Sequence, residues 1–289
     1  MPLLCNRPLH NRGMDSFIKG PAVLFAPANR PERFAKAAAA ADMVILDLED
    51  GAGNCDRDQA RANILNSDLD PQRTIFRTCG PHLPEFAQDV EAFKRSHYEV
   101  VCVPKIGSKV PEEVRGMKVI ALIETPAAVA NIDAIASHPD VIGLYFGAED
   151  LNLELGGTHS RYQADEGWDG PGFAPYRHHI LMARATMLMY GGLYGKFCLD
   201  AVNSDFTNLD SLYKEAADAA RSGFAGTCCI HPKQVETIRR AYAPDQKTLE
   251  WAQRIVEETA KHEGAFKLDG EMVDAPLIAQ AHRLVDRAR

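Results

Sequence analysis

The sequence predicts an α/β fold, a closed (β/α)8 TIM barrel with additional C-terminal helices, on three observations. Short apolar runs recur along the chain, ending near Phe25, Leu48, Arg77, Pro104, Glu124, Phe146, Asp200 and Ile230. Helix-like stretches separate them, mostly at a spacing of about 20 to 30 residues, which fits one strand–helix unit each. Four of the runs pass directly from apolar residues into charge: Val44 to Asp50, Thr74 to Arg77, Ile120 to Glu124 and Leu144 to Asp150. A strand buried on both faces is a continuous apolar run, and an ionisable group at its edge needs a partner or a metal to offset desolvation.

The helical stretches follow in order. Residues 31–41 begin with a proline suited to a first turn, and 57–65, 83–96, 126–137, 176–190, 209–222 and 232–242 complete the set, with a short piece at 111–115. From Asp150 to Tyr176 the rhythm breaks into a segment rich in Gly and acids that includes Trp168 and Phe173, expected as a long loop on the functional rim. After the eighth unit come a helix over 248–262, a Gly-rich turn, the segment Gly270 to Pro276 and a last helix to Arg289. The expected organisation is a leader over 1–20, the barrel over 21–243, and a helical extension over 244–289 that contacts a neighbouring subunit. A doubly wound open sheet is the structural rival, but no GxGxxG turn follows the first or second strand.

Composition narrows the function. A net charge of -8, with no Lys/Arg cluster longer than a pair, argues against nucleic acid as a partner. No apolar stretch approaches the roughly 20 residues needed to span a bilayer, so no membrane role is expected. The cysteines show no CxxC spacing, and Cys102, Cys198, Cys228 and Cys229 fall in expected buried strands, which fits a reducing, cytoplasmic setting.

In a (β/α)8 barrel the C-terminal strand ends share one mouth. There the sequence collects Asn29, Glu49, Asp50, Arg77, Lys105, Glu124, Asp150, Asp200 and His231. So many carboxylates repel one another, and a divalent cation held by hard oxygen ligands, Mg2+ or Mn2+, relieves the repulsion. Glu124 and Asp150, on consecutive strands, are the expected ligand pair. Arg77 matches a substrate carboxylate, or else a salt bridge to Glu49 or Asp50. Glu49 and Asp50 either act directly or cap the turn at Gly51, while Asp47, one pleat deeper, is read as structural. Lys105 invites a Schiff-base reading, which the surrounding acids oppose by keeping its pKa up. His231 is a secondary general-base candidate.

Six segments together resemble one family. They are Leu24 to Phe34 (LFAPANRPERF), Ile45 to Asp50 (ILDLED), Val103 to Ile106 (VPKI), Leu122 to Pro126 (LIETP), Phe146 to Leu151 (FGAEDL) and Cys229 to Pro232 (CIHP). In this order they are similar to the citrate lyase beta subunit-like proteins of the HpcH/HpaI aldolase superfamily. The resemblance implies a magnesium-dependent barrel, usually a homotrimer, that makes or breaks a carbon–carbon bond between an acyl thioester and a 2-oxo acid. By position it implies metal ligation by Glu124 and Asp150, with Glu124 also touching substrate, and a carboxylate grip by Arg77. Glu49 and Asp50 match positions that line the pocket and hold water there. Asp274, in Met272 to Pro276, is similar to a tail aspartate that enters a neighbour's site as acid/base. Ala28, Gly51 to Gly53 and the loop from Asn152 to Tyr176 depart from the family pattern, and these departures bear on substrate choice.

The expected reaction is cleavage or formation of a 3-hydroxy acyl thioester such as citramalyl-, malyl- or citryl-CoA. The partners are a 2-oxo acid and acyl-CoA or an acyl carrier protein thioester. The alternatives are an acyl-CoA thioesterase, a malate-synthase-like activity, or a carrier-dependent subunit inactive alone.

Overall fold

The computed structural model describes residues 17–53, 55–166, 176–262 and 264–288, which divide between Arg239 and Arg240 into two compact units. In the first unit eight parallel strands close into a barrel: β1 (Ala22–Pro27), β2 (Met43–Asp47), β3 (Thr74–Arg77), β4 (Val100–Val103), β5 (Lys118–Ile123), β6 (Val141–Phe146), β7 (Phe197–Asp200) and β8 (Gly226–Cys229). β1 pairs with both β2 and β8, the latter with Ala22 opposite Thr227, so no strand edge is left open. The open-sheet alternative is thereby excluded.

Alternation along the strands explains how the barrel is filled. Val23, Met43, Ile45, Ile75, Val100, Cys102, Ile120, Leu122, Tyr145, Leu199 and Cys228 form one buried cluster. Because side chains alternate with period two, the positions that continue this cluster one pleat further are Asp47, Arg77 and Glu124. The parity that packs the interior therefore delivers three ionisable groups to the C-terminal mouth.

Helices α1 (Phe34–Ala40), α2 (Arg57–Leu65) and α3 (Phe86–Arg95) follow the first three strands. Asp56 caps α2 by accepting from the Gln59 N–H. The helix expected over 126–137 is two pieces, α4 (Pro126–Ala130) and α5 (Ile132–Ala136). The break is at Asn131, whose φ of -118° and ψ of 23° lie outside the helical region and whose side chain bonds back to the Ala127 carbonyl. The expected loop after β6 begins instead with a short helix, α6 (Ala148–Glu154). Trp168 and Phe173 lie outside the described residues, as do residues 1–16 of the expected leader. Beyond, α7 (His178–Tyr194) and α8 (Leu209–Ser222) both end at a left-handed glycine, Gly195 and Gly223. α9 spans Lys233–Tyr242.

The second unit holds α10 (Gln246–Thr259), capped by Asp245, a hairpin of β9 (Phe266–Leu268) and β10 (Glu271–Val273), and α11 (Ala275–Arg287). The hairpin was not expected. Asp269 and Gly270, with φ of 51° and 91°, form its two-residue turn, the conformation that an Asp-Gly pair favours. Ala252, Ile255, Phe266, Val273 and Ala281 make a separate small core. No helix among the described residues is long and apolar enough to cross a membrane.

Closure of the barrel rests on backbone contact at Gly226, where an added Cβ would sit 2.8 Å from the Pro21 carbonyl oxygen. That oxygen accepts from the Thr227 N–H, so it cannot retreat without loosening the β8 to β1 seam. Gly226→Ala is expected to destabilise the protein by about 1 to 3 kcal/mol, measured by urea unfolding.

Candidate active site

The mouth is built on a buried cation. Arg77 donates from Nε to Asp47 Oδ1 (2.6 Å) and from Nη2 to Asp47 Oδ2 (2.7 Å), a planar fork on a planar carboxylate. Its Nη1 lies 2.9 Å from Glu49 Oε2, and the guanidinium covers the Phe25 ring at 4.6 Å. The same Asp47 carboxylate accepts the N–H groups of Glu49 and Gly51, both at 2.8 Å. Asp47 therefore caps the turn after β2, the task considered for Glu49 and Asp50, and leaves the Glu49 side chain free to face the mouth. Burial, ahead of the opposing Arg77 charge, raises the Glu49 pKa. Both Glu49 oxygens are buried with ion-pair neighbours but no aligned hydrogen bond among the described residues. Asp50 is exposed.

Glu124 follows β5 and is 2% exposed. Its neighbour across the strand ends is Gly147, whose N–H donates to the Ile123 carbonyl (3.1 Å). A Cβ on Gly147 would come within 2.6 Å of Glu124 Oε2, so only glycine gives this carboxylate its place. Gly147 is also the N-cap of α6, which puts Asp150 in the first turn of that helix rather than on a strand end as the sequence reading had it. A carboxylate is favoured there by the helix dipole.

Lys105, after β4, ties the two acids together. Its backbone has a positive φ of 48°, and from that conformation its N–H donates to Glu124 Oε1 (2.7 Å). Its ammonium donates to Asp150 Oδ1 (2.6 Å) and lies 3.3 Å from Glu49 Oε1. Burial alone would lower the lysine pKa, but the Asp150 hydrogen bond and the charges of Glu124, Glu49 and Asp150 together raise it. A protonated amine cannot attack a carbonyl, so the Schiff-base reading is set aside. Glu124 is pushed up to about 8 by burial first, then by the charges of Glu49 and Asp150.

This donor set fits a hard divalent cation. Among the described residues, the cations that meet Asp47, Glu49, Glu124 and Asp150 are Arg77 and Lys105, so the mouth holds more carboxylates than cations. No group of three or more His, Cys, Asp or Glu side chains among the described residues is arranged to hold a metal by itself. Glu124 and Asp150 would thus serve as a two-carboxylate site with remaining positions open to substrate and water, the arrangement in which Mg2+ is usually bound.

Comparison with known proteins gives the family. Residues 21–232 match the family described as HpcH/HpaI aldolase/citrate lyase, and residues 180–289 match one described as C-C bond lyase of the TIM-barrel fold. The chain belongs to the HpcH/HpaI aldolase/citrate lyase family. It is 41% identical over 270 residues to a citrate lyase subunit beta-like protein of Mycobacterium tuberculosis, covering 93% of this chain and 96% of that one. It is 25% identical over 309 residues to the human mitochondrial citramalyl-CoA lyase, covering 94% and 86% respectively. Its fold is similar to a crystal structure of CitE from Mycobacterium tuberculosis in complex with magnesium, acetoacetate and coenzyme A. That match has a TM-score of 0.83 and 39% identity, over 94% of this chain and 99% of the other. As a member of this family the chain is a carbon–carbon lyase.

Three expected rim residues of this lyase, Asp200, His231 and Asn29, serve other ends. Asp200 is held bidentately by Arg184 of α7 (both 2.8 Å), with Asp218 also on Arg184 at 3.0 Å. His231 stacks on Phe206 at 5.0 Å and accepts the Lys233 N–H, an N-terminal helix contact. Asn29 donates to the Ala52 carbonyl and fastens the turn that carries Glu49. Asp274 is exposed in the second unit and caps α11 by accepting from the Leu277 N–H. His178 and His179 are exposed.

The sequence reading missed the residues that hold others in place. Asp47 is structural, as its deeper pleat implies, but its particular task of holding Arg77 from below is set by the pairing of β2 with β3. Arg161 carries no signal in the sequence. It bonds Glu215, Glu149, Ser160, Tyr176 and the Val202 carbonyl, and so anchors the segment beside Asp150. No local signal marks it, because its partners come from separate elements.

Asp200→Asn would leave the Arg184 charge buried with only the half-exposed Asp218 as an ionised partner. A loss of about 3 to 5 kcal/mol is expected in chemical denaturation, with the KM of the remaining folded enzyme unchanged.

Proposed function

We propose that the chain is a magnesium-dependent lyase that cleaves, or in reverse forms, a 3-hydroxy acyl thioester of coenzyme A, giving a 2-oxo acid and an acyl thioester. The observation that carries this reading is the convergence of Glu124 and Asp150 on one residue, Lys105, beside a pre-oriented Arg77. The magnesium, acetoacetate and coenzyme A of the CitE complex support it. So does the naming of a human relative as a citramalyl-CoA lyase.

In this reading Glu124 and Asp150 hold the cation, which when bound supplies a localised positive charge for the substrate's hydroxyl and carboxylate oxygens. Arg77 grips the carboxylate end of the oxo acid portion with N–H directions not used by Asp47 and Glu49. Its orientation is prepaid by the bidentate Asp47 contact, so the substrate meets a fixed fork. On cleavage the hydroxyl proton passes to a water held by Glu49 and Asp50, the freed O–H electrons form the oxo C=O as the carbon–carbon bond breaks, the electrons of that bond pass to the carbon next to the thioester, and that carbon takes a proton. Asp274, acting from a neighbouring subunit of a homotrimer, or a water held by Glu49 and Asp50 supplies it. In the forming direction the same groups remove that proton and the new bond closes on the oxo carbon.

The direct test is to incubate pyruvate, glyoxylate or oxaloacetate with acetyl- or propionyl-coenzyme A and Mg2+, and to follow the products by mass spectrometry. A hydroxyacyl thioester is expected with at least one pair. Free thiol released without any hydroxyacyl thioester would favour hydrolysis over this reading. Glu124→Gln and Asp150→Asn are each expected to lower kcat by about 100- to 1000-fold and to weaken Mg2+ binding in calorimetry. For the shared site, Asp274→Ala and Arg77→Ala chains, each inactive alone, are expected to recover part of the activity when mixed. Verified mixed oligomers with no recovery would place the acid/base elsewhere.

A further inference from the structure

Lys105 is not needed to bind a cation or a carboxylate substrate in the scheme above, yet it is the residue that meets the most acids in the mouth. Its ammonium is 2.6 Å from Asp150 and 3.3 Å from Glu49, and its backbone N–H is 2.7 Å from Glu124. The side chain is one-fifth exposed, so the amine is neither sealed in the core nor freely solvated. The backbone φ of 48° is unusual for a residue with a Cβ and costs conformational energy that must be repaid locally. The repayment is visible in the geometry: in this conformation the N–H and the ammonium of a single residue reach acids on two different barrel units.

We propose that Lys105 is a positioning residue that acts as a built-in placeholder cation. Its backbone amide orients Glu124, and its ammonium holds Asp150 and Glu49 together until a divalent cation takes over the charge balance. This rests on the assignment of Glu124 and Asp150 as metal ligands. Two consequences separate it from a merely structural lysine. A monovalent cation beside the site repels the incoming divalent one, so its removal tightens metal binding. The ammonium also relieves carboxylate repulsion when no metal is present, so its removal weakens the metal-free protein more than the loaded one. A lysine that only braces the fold would have the opposite signature, with looser ligands and weaker metal binding when it is lost.

The test uses the full-length protein and three readouts. Mg2+ affinity by calorimetry is compared for the parent, Lys105→Met, Lys105→Arg, Glu124→Gln and Asp150→Asn, alongside the thermal midpoint with and without saturating Mg2+. Lys105→Met, which removes the charge but keeps most of the stem, is expected to bind Mg2+ about tenfold more tightly or better. It is also expected to show a larger gain in thermal midpoint on adding the metal. Lys105→Arg keeps the charge and is expected to bind Mg2+ within about twofold of the parent. Unchanged or weaker Mg2+ binding by a folded Lys105→Met protein overturns the placeholder role. If Glu124→Gln and Asp150→Asn bind Mg2+ as the parent does, it is the ligand assignment that fails instead. Should Lys105→Met not fold, Lys105→Gln in the same comparison decides the matter by the same criterion.

Discussion

A guanidinium at the depth of Arg77 is held chiefly by the Asp47 carboxylate beneath it, with Glu49 as a second partner, and much of the mouth follows from the first pair. The bidentate contact fixes the plane of the cation, and Phe25 covers one face, so the charge has few directions left in which to act. The Asp47 carboxylate simultaneously accepts two backbone N–H groups of the turn after β2, which aims Glu49 back at the same guanidinium. Removing one partner from such a buried pair is far more damaging than the pair is stabilising, because the remaining charge stays buried with its bidentate partner gone and only weaker contacts left. The mouth is therefore organised from below, by a residue that need not touch any substrate.

The second organising element is the glycine at the end of β6. Gly147 lets Glu124 occupy space that any side chain would take, and it starts the helix whose first turn holds Asp150. One short segment thus places both acids. On its far side Ser160 and Arg161 tie down Glu149, the residue before Asp150, and Arg161 in turn reaches Glu215 of α8 and Tyr176. Polar networks of this kind, here partly buried around Arg161 and Glu215, hold position well because their members share several partners. The position of Asp150 is thereby coupled to α8 through a chain of charge-assisted contacts.

Strand positions were highly legible because they depend on local pattern. Runs ending at Arg77, Glu124 and Phe146 became strands ending within a residue of those points, and α2 and α8 have the bounds read from periodicity and capping. Legibility failed where nonlocal or subtle backbone effects decide. The turn made by Asp269 and Gly270 carried a hairpin signal that the flanking three-residue strands were too short to reinforce. Asp200 looked like a rim acid because nothing in its own segment announces Arg184, which arrives from α7. The convergence of Glu49, Arg77 and Glu124 was legible because so much buried charge at or just beyond the ends of apolar strands is hard to explain otherwise, whereas Asp150 joins them from the first turn of α6.

The sequence by itself determined the eight apolar strands, the parity that points Asp47, Arg77 and Glu124 inward, and the family to which the chain belongs. These are consequences of period-two alternation and of the energetic need to pair buried charge, both readable along the chain. Only the tertiary structure decided which charge meets which: Asp47 on Arg77, Arg184 on Asp200, and Lys105 between Glu124 and Asp150. Such pairings join residues separated by tens of positions, and they depend on barrel closure, on the absent side chain at Gly147 and on a left-handed backbone at Lys105, none of which is written in local periodicity.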